Sequence, residues 1–344
     1  MMKIYPADSL NFIRKLTPRR VWNASRVVSS YFVTRWRQQP TMWGKPFTIS
    51  IEPTTACNLR CPECPSGLRS FTRPTGNLKQ DFFRKLIAEN YRDLIYLIFY
   101  FQGEPYINPD FLDMVRFDHD KGVYTITSTN GHFLNDENAR RTIESGLDRL
   151  IISVDGTTQE TYEQYRKTGK LETVLQGARN LVKWKKKMGY GPHLIFQFLV
   201  VKPNEHQVEE VIELAREIGI DEVKFKSAQL YEYEHGNPLM PDNEDYAHYY
   251  KKKDGTYGIK NKLENHCWKL WHSLVITWDG LVAPCCFDKD VTHRLGDMKT
   301  ESLSDIWQGD AYQQFRKKLL KGRSEIDICK NCTEGCEVWL GAEV

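Results

Sequence analysis

The sequence predicts an α/β fold, a partial (β/α)6 TIM-like barrel followed by a small C-terminal extension. Two observations favour this fold class. Between residues 47 and 226, six short apolar segments rich in β-branched and aromatic residues alternate with amphipathic segments, which is typical of buried parallel strands joined by helices. Polar, turn-forming residues follow successive strands, as at the active-site rim of a barrel.

The elements follow in order along the chain. The predicted strands are residues 47–52, 94–101, 123–128, 149–155, 194–201 and 222–226. Predicted helices include 78–90, 173–187 and 207–219, and Gly219 is a typical C-cap for the last. A further strand at 274–280 and an amphipathic segment at 305–322 follow. We therefore divide the chain into a basic arm (1–46), a barrel (47–227), a Tyr-rich loop or linker (228–266) and an extension (267–344).

Composition and charge exclude several classes of protein. The chain has 344 residues, 40% of them hydrophobic and 27% charged, which is ordinary for a globular protein. Residues 1–45 carry nine Lys or Arg and one acid, so this arm is +8 and the remainder of the +3 chain is −5. An acidic body argues against a nucleic-acid partner. Without a membrane-length apolar run or a secretory signal, a cytoplasmic protein is expected.

The nine cysteines form two groups separated by about 200 residues. Cytosolic thiols stay reduced, so metal sites are favoured over disulfides. Cys57, Cys61 and Cys64 have the spacing CxxxCxxC, and three thiolates without a nearby fourth suit a [4Fe–4S] cluster with one open iron. The alternative is a zinc site completed by a distant ligand.

Four segments together resemble the radical S-adenosylmethionine (radical SAM) superfamily. They are CNLRCPEC (57–64), GEP (103–105), TNG (129–131) and SVDG (153–156). The resemblance implies that SAM chelates the open iron and that the reduced cluster cleaves SAM to methionine and a 5′-deoxyadenosyl radical. This radical takes a hydrogen atom from the substrate. An external electron donor such as flavodoxin or ferredoxin is implied as a partner.

The same resemblance assigns the cofactor-binding residues. Gly103, Glu104 and Pro105 match the segment that meets the SAM amino group. Two positions depart from the family pattern: Gln102 replaces a usual glycine, and Glu63 stands where an aromatic residue often lies beside the adenine. The remaining expected SAM contacts lie on the rim and are Thr129, Asn130, Ser153 and Asp155.

The C-terminal cysteines resemble the SPASM extension of this superfamily. Two further all-cysteine clusters would need about eight ligands, and only six cysteines are present, so one auxiliary [4Fe–4S] cluster is expected, as in the shortened twitch form. Cys286 is interpreted as a small buried thiol rather than a catalytic one, and Cys336 competes with Cys332 as a ligand. A structural zinc site is the alternative. The predicted ligands are Cys267, Cys285, Cys329 and Cys332.

The basic arm contains an amphipathic helix around residues 21–36. Such a helix can lie on an anionic membrane surface, which would place the protein at the membrane inner face; the alternative is that it packs over the barrel. The residues expected to share its apolar face are Ala24, Val27, Val28, Tyr31 and Phe32.

Three functions remain open at this point. The first is a radical SAM enzyme that acts on an unidentified small molecule, saccharide or peptide. The others are a non-enzymatic zinc or iron–sulfur binding protein and an RNA-modifying radical SAM enzyme. The sequence assigns no catalytic side chain.

Overall fold

The predicted parallel sheet is present. The computed structural model describes residues 5–332 and 334–335. Six strands lie side by side in chain order, each parallel to the next. They are β1 (Thr48–Ile51), β2 (Tyr96–Ile98), β3 (Tyr124–Thr129), β4 (Arg149–Ser153), β5 (His193–Val200) and β6 (Glu222–Ser227). The fold class expected from the sequence, a partial barrel, is therefore confirmed.

Helices cover the outside of this sheet. Among the described residues, two α-helices precede the first strand in the chain, and two follow the last strand. Apolar faces pack against the strands because burial of apolar surface drives the packing. In chain order they are α1 (Pro6–Arg14), α2 (Pro18–Arg37), α3 (Pro65–Leu68), α4 (Gln80–Asn90), α5 (Phe111–Asp120), α6 (Asp136–Glu144), α7 (Gln159–Tyr165), α8 (Leu171–Met188), α9 (Val208–Ile218), α10 (Lys269–His272), α11 (Leu303–Gln308) and α12 (Asp310–Gly322). Short 3-10 turns lie at Pro105–Ile107, Glu205–Gln207, Arg323–Glu325 and Asp327–Cys329.

The C-terminal extension continues the same sheet. Strand β9 (Ser273–Ile276) pairs in parallel with β1, and β10 (Leu281–Ala283) and β11 (Gly296–Asp297) add antiparallel pairs beyond it. The amphipathic segment 305–322 is broken into α11 and α12 at Gly309, whose backbone is extended. Residues 228–266 contain a hairpin of β7 (Tyr249–Lys251) and β8 (Tyr257–Ile259).

Helix α1 closes the amino-terminal end of the barrel. The Phe12 ring stacks on Tyr96 with ring centroids 5.0 Å apart. The buried carboxylate of Asp8 accepts a hydrogen bond from the Tyr124 hydroxyl and forms an ion pair with Arg149. The arm is thus part of the fold, and its first helix lies at the end of the sheet opposite to the rim.

The prediction that the apolar face of α2 contacts a membrane finds no support in the structure. Ala24, Val27 and Tyr31 of that face are buried, and the Tyr31 ring lies against Trp268 and Trp271 of the extension. Val28 is half-buried, and Phe32 is exposed, so Phe32 was wrongly assigned to the buried face. The alternative, packing against the rest of the protein, is what is observed: α2 contacts the extension, and its Arg19 and Asn23 also bind Asp93 of the barrel. Within residues 5–332, no helix is long and apolar enough to cross a membrane.

The contacts between α1 and the amino-terminal ends of the strands predict how the free energy of unfolding depends on Asp8. Replacing Asp8 with alanine should lower the free energy of unfolding by about 3 kcal/mol, because the buried guanidinium of Arg149 loses this carboxylate. Asp120→Ala is the matched control: this carboxylate is exposed, so a change within about 0.5 kcal/mol is expected. Urea unfolding followed by circular dichroism measures both. Equal effects of the two substitutions would contradict the role given to Asp8.

Candidate functional site

The first cysteine group lies on the loop between β1 and α3, at the carboxyl end of the barrel. Helix α3 begins directly after Cys64 and packs tightly on the loop. A Cβ at Gly67 would lie 2.5 Å from the backbone nitrogen of Cys61, so only glycine permits this approach. The loop therefore folds back on itself, and Cys57, Cys61 and Cys64 lie near one another.

Gly103 holds the next rim segment against this loop. Its φ is +75°, and a Cβ there would lie 2.2 Å from the carbonyl oxygen of Thr54. Its N–H donates to the Ser66 hydroxyl at 3.0 Å. Positive φ and close backbone approach both require glycine, which gives a physical reason for the first residue of the GEP segment.

Glu104 joins the ends of β2 and β3. Its buried carboxylate accepts hydrogen bonds from the Thr129 hydroxyl and the Asn130 backbone N–H, both at 2.7 Å. Burial raises the pKa of Glu104 to about 7, although these hydrogen bonds oppose the shift. The Asn130 amide in turn donates to the Asn58 side chain at 2.7 Å and points at the Cys57 sulfur from 3.8 Å.

Asp155 anchors an arginine that the sequence analysis missed. Its carboxylate accepts from Arg166 Nε at 2.5 Å and from the Leu199 N–H at 2.8 Å. Arg166 Nη1 lies 3.8 Å from the Cys61 sulfur. Arg166 belongs to no motif and lies eleven residues after Asp155 in the chain, so only the fold reveals its position.

Glu63, where the family often has an aromatic residue, has a structural contact instead. Its carboxylate accepts from the Tyr231 backbone N–H at 2.9 Å and lies 3.5 Å from the Asn237 amide. Glu63 therefore ties the Tyr-rich segment to the cysteine loop.

The second cysteine group gathers in the extension. Cys267 and Cys332 both lie near Cys285, and Cys267 also lies near Cys329. A Cβ at Gly335 would lie 2.4 Å from the Cys267 sulfur, so this glycine allows the last described residues to close over the group. Cys286 is exposed, which corrects its interpretation as a buried thiol. Cys336, the competing ligand, lies outside the described residues.

The donor set at these sulfurs fits an iron–sulfur cluster. Burial raises the pKa of Cys57 to about 11 and of Cys329 and Cys332 to about 12, and metal binding holds such thiols deprotonated. N–H groups point at the sulfurs, including Arg323 Nη2 at 3.3 Å from Cys332 Sγ, and such donors stabilise thiolate-bound clusters. No three His, Cys, Asp or Glu side chains in the described ranges are close enough to share one metal ion.

The interior of the barrel carries polar side chains that form no side-chain hydrogen bond with another described residue. Register pairs and strand alternation place them on one face of the sheet, as with Ser153 opposite Gln197. None of their side-chain polar atoms has a hydrogen-bond partner among the residues that the structure describes. They are Tyr100, Ser128, Ser153, Gln197 and Lys226. A barrel lined in this way can bind a polar cofactor and a substrate at the end where the cysteine loop lies.

A partial barrel with cysteines on its rim defines an iron–sulfur enzyme of the radical type, and comparisons with known proteins agree. The radical SAM superfamily profile matches residues 51–215, and an iron–sulfur cluster-binding domain profile, SPASM, matches residues 267–333. An AdoMet-dependent heme synthase of Methanosarcina barkeri is 30% identical over 334 residues, 86% of this chain and 92% of the relative. The chain belongs to the radical SAM superfamily and is an enzyme with a SPASM domain.

Other relatives differ widely in what their names describe. A tungsten-containing aldehyde ferredoxin oxidoreductase cofactor-modifying protein of Pyrococcus furiosus is 26% identical over 315 residues, 78% of this chain and 82% of its own. The solved structure of BtrN with AdoMet and 2-DOIA is 21% identical, with a TM-score of 0.54 over 85% of this chain and 95% of BtrN. Streptococcus suis SuiB bound to its precursor peptide SuiA is 14% identical, with a TM-score of 0.62 over 92% of this chain and 76% of SuiB. The structures show the shared fold.

Membership of this superfamily fixes the cofactors in outline. The enzyme uses SAM and a [4Fe–4S] cluster, and the SPASM domain implies auxiliary iron–sulfur binding. A reductant and a substrate are required as well.

The tight packing of the rim gives a second prediction. Gly103→Ala should destabilise the protein by about 3 kcal/mol or more, because the new Cβ meets the Thr54 carbonyl at positive φ. Gly189→Ala is the control: its φ is +74°, but no atom lies within 4 Å of the new Cβ, so about 1 kcal/mol is expected. Urea unfolding and iron content after reconstitution measure the effects. A Gly103 variant that matches the Gly189 variant in both readouts would contradict this packing.

Proposed function

We propose that the protein cleaves SAM reductively and abstracts a hydrogen atom from its substrate at the mouth of the barrel. Cys57, Cys61 and Cys64 would hold the [4Fe–4S] cluster that binds SAM. When bound and reduced, this pair of cofactors supplies the hydrogen-abstracting radical. The single observation that carries the proposal is the convergence of the cysteine loop, the Glu104 hydrogen bonds and the Asp155–Arg166 pair on one rim.

The chain's own residues would position the cofactors and tune them. Glu104 holds Thr129 and Asn130 at the rim, and Gly103 and Pro105 keep the segment close to the cysteine loop. Ser153 and Gln197 have polar atoms open toward the interior, where a ribose or carboxylate can accept or donate hydrogen bonds. Arg166 places positive charge beside Cys61, which favours electron-rich states of a cluster there.

A single auxiliary [4Fe–4S] cluster would be held by Cys267, Cys285, Cys329 and Cys332. Cys267 and Cys332 lie near both Cys285 and Cys329, which supports this set, although Cys286 also lies near Cys285 and Cys332. Arg323 donates toward Cys332 as Arg166 does toward Cys61. Flavodoxin or ferredoxin is the expected electron donor. The acidic body does not favour RNA as the substrate.

The SAM-cleaving role is tested by product formation. Anaerobically reconstituted protein given dithionite and SAM should form 5′-deoxyadenosine, and Cys61→Ala should form none because one thiolate ligand is lost. Arg60→Ala, an exposed side chain in the same loop, should retain the wild-type rate within about twofold. Chromatographic quantification of 5′-deoxyadenosine measures all three. Equal product from the wild type and Cys61→Ala would refute the assignment.

The auxiliary ligands are tested by an adjacent pair of cysteines. Two clusters predict about eight irons per wild-type chain. Cys285→Ala should retain about four, because the half-buried Cys285 is a proposed ligand, whereas Cys286→Ala should retain about eight. Iron and sulfide analysis after reconstitution measures the difference. Loss of a cluster from the Cys286 variant alone would show that the wrong member of the pair was assigned.

A further inference from the structure

Lys226 extends from β6 into the interior of the barrel. It lies opposite Leu199 in the β5–β6 register, and Leu199 packs in the apolar cluster that includes Cys57 and Cys64. The neighbouring residue Phe225 faces the other way, since its ring contacts Phe198. Strand alternation therefore points Lys226 toward the side of the sheet on which the first cysteine group lies.

The ammonium group of Lys226 forms no hydrogen bond or ion pair with any described residue. The Lys226 side chain is half-buried, and a charge withdrawn from water without a partner costs free energy. Burial and the nearby Lys269 lower the pKa of Lys226. Because the folded protein keeps Lys226 in this position despite the free-energy cost, we expect another molecule to supply an anionic partner for its ammonium group.

The carboxylates at the rim are already engaged elsewhere. Glu52 is bound by Arg73 in two hydrogen bonds of 2.6 Å, and Asp155 is bound by Arg166. Glu104 accepts its hydrogen bonds from β3. None of these three acids is directed to Lys226, so none of them supplies its counter-ion.

Two further polar groups lie in the same region. Both Lys226 and the phenol of Tyr100 lie near Cys286, and neither Tyr100 nor Cys286 forms a side-chain hydrogen bond to another residue in the described ranges. Tyr100 reaches this point from the segment that follows β2, Lys226 from β6 and Cys286 from the extension. The three groups thus bound a space between the two cysteine sites, where a substrate would meet both.

We propose that Lys226 binds an anionic group, a carboxylate or a phosphate, of a small-molecule substrate. The Tyr100 hydroxyl donates to the same group or to a neighbouring oxygen. This assignment rests on the proposed function, because the occupied space is the mouth of the radical site. If the substrate were neutral, the Lys226 ammonium group would have no counter-ion in the complex either, and the free-energy cost of burying it would remain.

The first test uses the reconstituted protein without substrate. Lys226→Met removes the unpaired charge and keeps the length of the side chain, so the midpoint of thermal unfolding should rise. Lys317→Met, at an exposed position of α12, should leave the midpoint unchanged. A fall in the midpoint for Lys226→Met would mean that Lys226 stabilises the fold itself, which would overturn the proposal.

The second test asks which molecules increase SAM cleavage. A metabolite extract of the native host is separated by ion exchange into anionic and non-anionic fractions, with the macromolecular retentate kept apart. The anionic fraction should increase 5′-deoxyadenosine formation by the wild type and by Lys317→Gln. Relative to each variant's own unstimulated rate, the increase should fall at least about tenfold in Lys226→Gln and recover in part in Lys226→Arg.

The outcomes separate this inference from the proposed function. Wild type that forms no 5′-deoxyadenosine under any condition refutes the proposed function. Wild type that is stimulated only by the non-anionic fraction or the retentate, or equally in Lys226→Gln, refutes the role of Lys226 alone. Phosphatase treatment of the active fraction identifies the group: loss of stimulation indicates a phosphate, and its persistence indicates a carboxylate.

Discussion

The arrangement of the rim depends on the buried carboxylate of Glu104. It is held by one hydroxyl and one backbone N–H from the end of β3, both at 2.7 Å. Asn130, fixed by this contact, reaches Asn58 and the sulfur of Cys57. One side chain therefore links two strand ends to the cysteine loop. Because a buried carboxylate without these donors would be strongly unfavourable, the three segments adopt their positions together.

In each of the two cysteine groups, an arginine side chain lies close to a cysteine sulfur. Arg166 is held by Asp155 and directed at Cys61, and Arg323 donates to the carbonyl oxygens of His266 and Glu334 as well as to Cys332. In each case an arginine is fixed by oxygen atoms of the protein before it meets sulfur. A fixed positive charge needs no reorganisation when a neighbouring site gains an electron, so each arginine would tune the potential of a cluster held by these cysteines.

The sequence predicted the parts of the molecule that depend on local pattern. The strands follow from short apolar runs, and the cysteine loop, GEP and SVDG follow from spacing. The packing partner of α2 could not be predicted, because an amphipathic face does not distinguish a lipid surface from Trp268 and Trp271. Arg166 and Lys226 also escaped prediction. The role of Arg166 arises from its contacts with Asp155 and Cys61. The role proposed for Lys226 arises from the absence of a hydrogen-bond or ion-pair partner among the described residues, and neither property can be read from the local sequence.

The pairing of β9 with β1 fixes the extension next to the strand that carries the first cysteine loop. Strand β9 is hydrogen-bonded to β1, and the first cysteine loop follows β1 directly. The extension is therefore positioned by backbone pairing, which is more rigid than a linker. Since Cys286 and Tyr100 are neighbours, the extension also contributes to the wall of the barrel mouth. A substrate in this space would contact both halves of the protein, so residues from both the barrel and the extension would select its shape and charge.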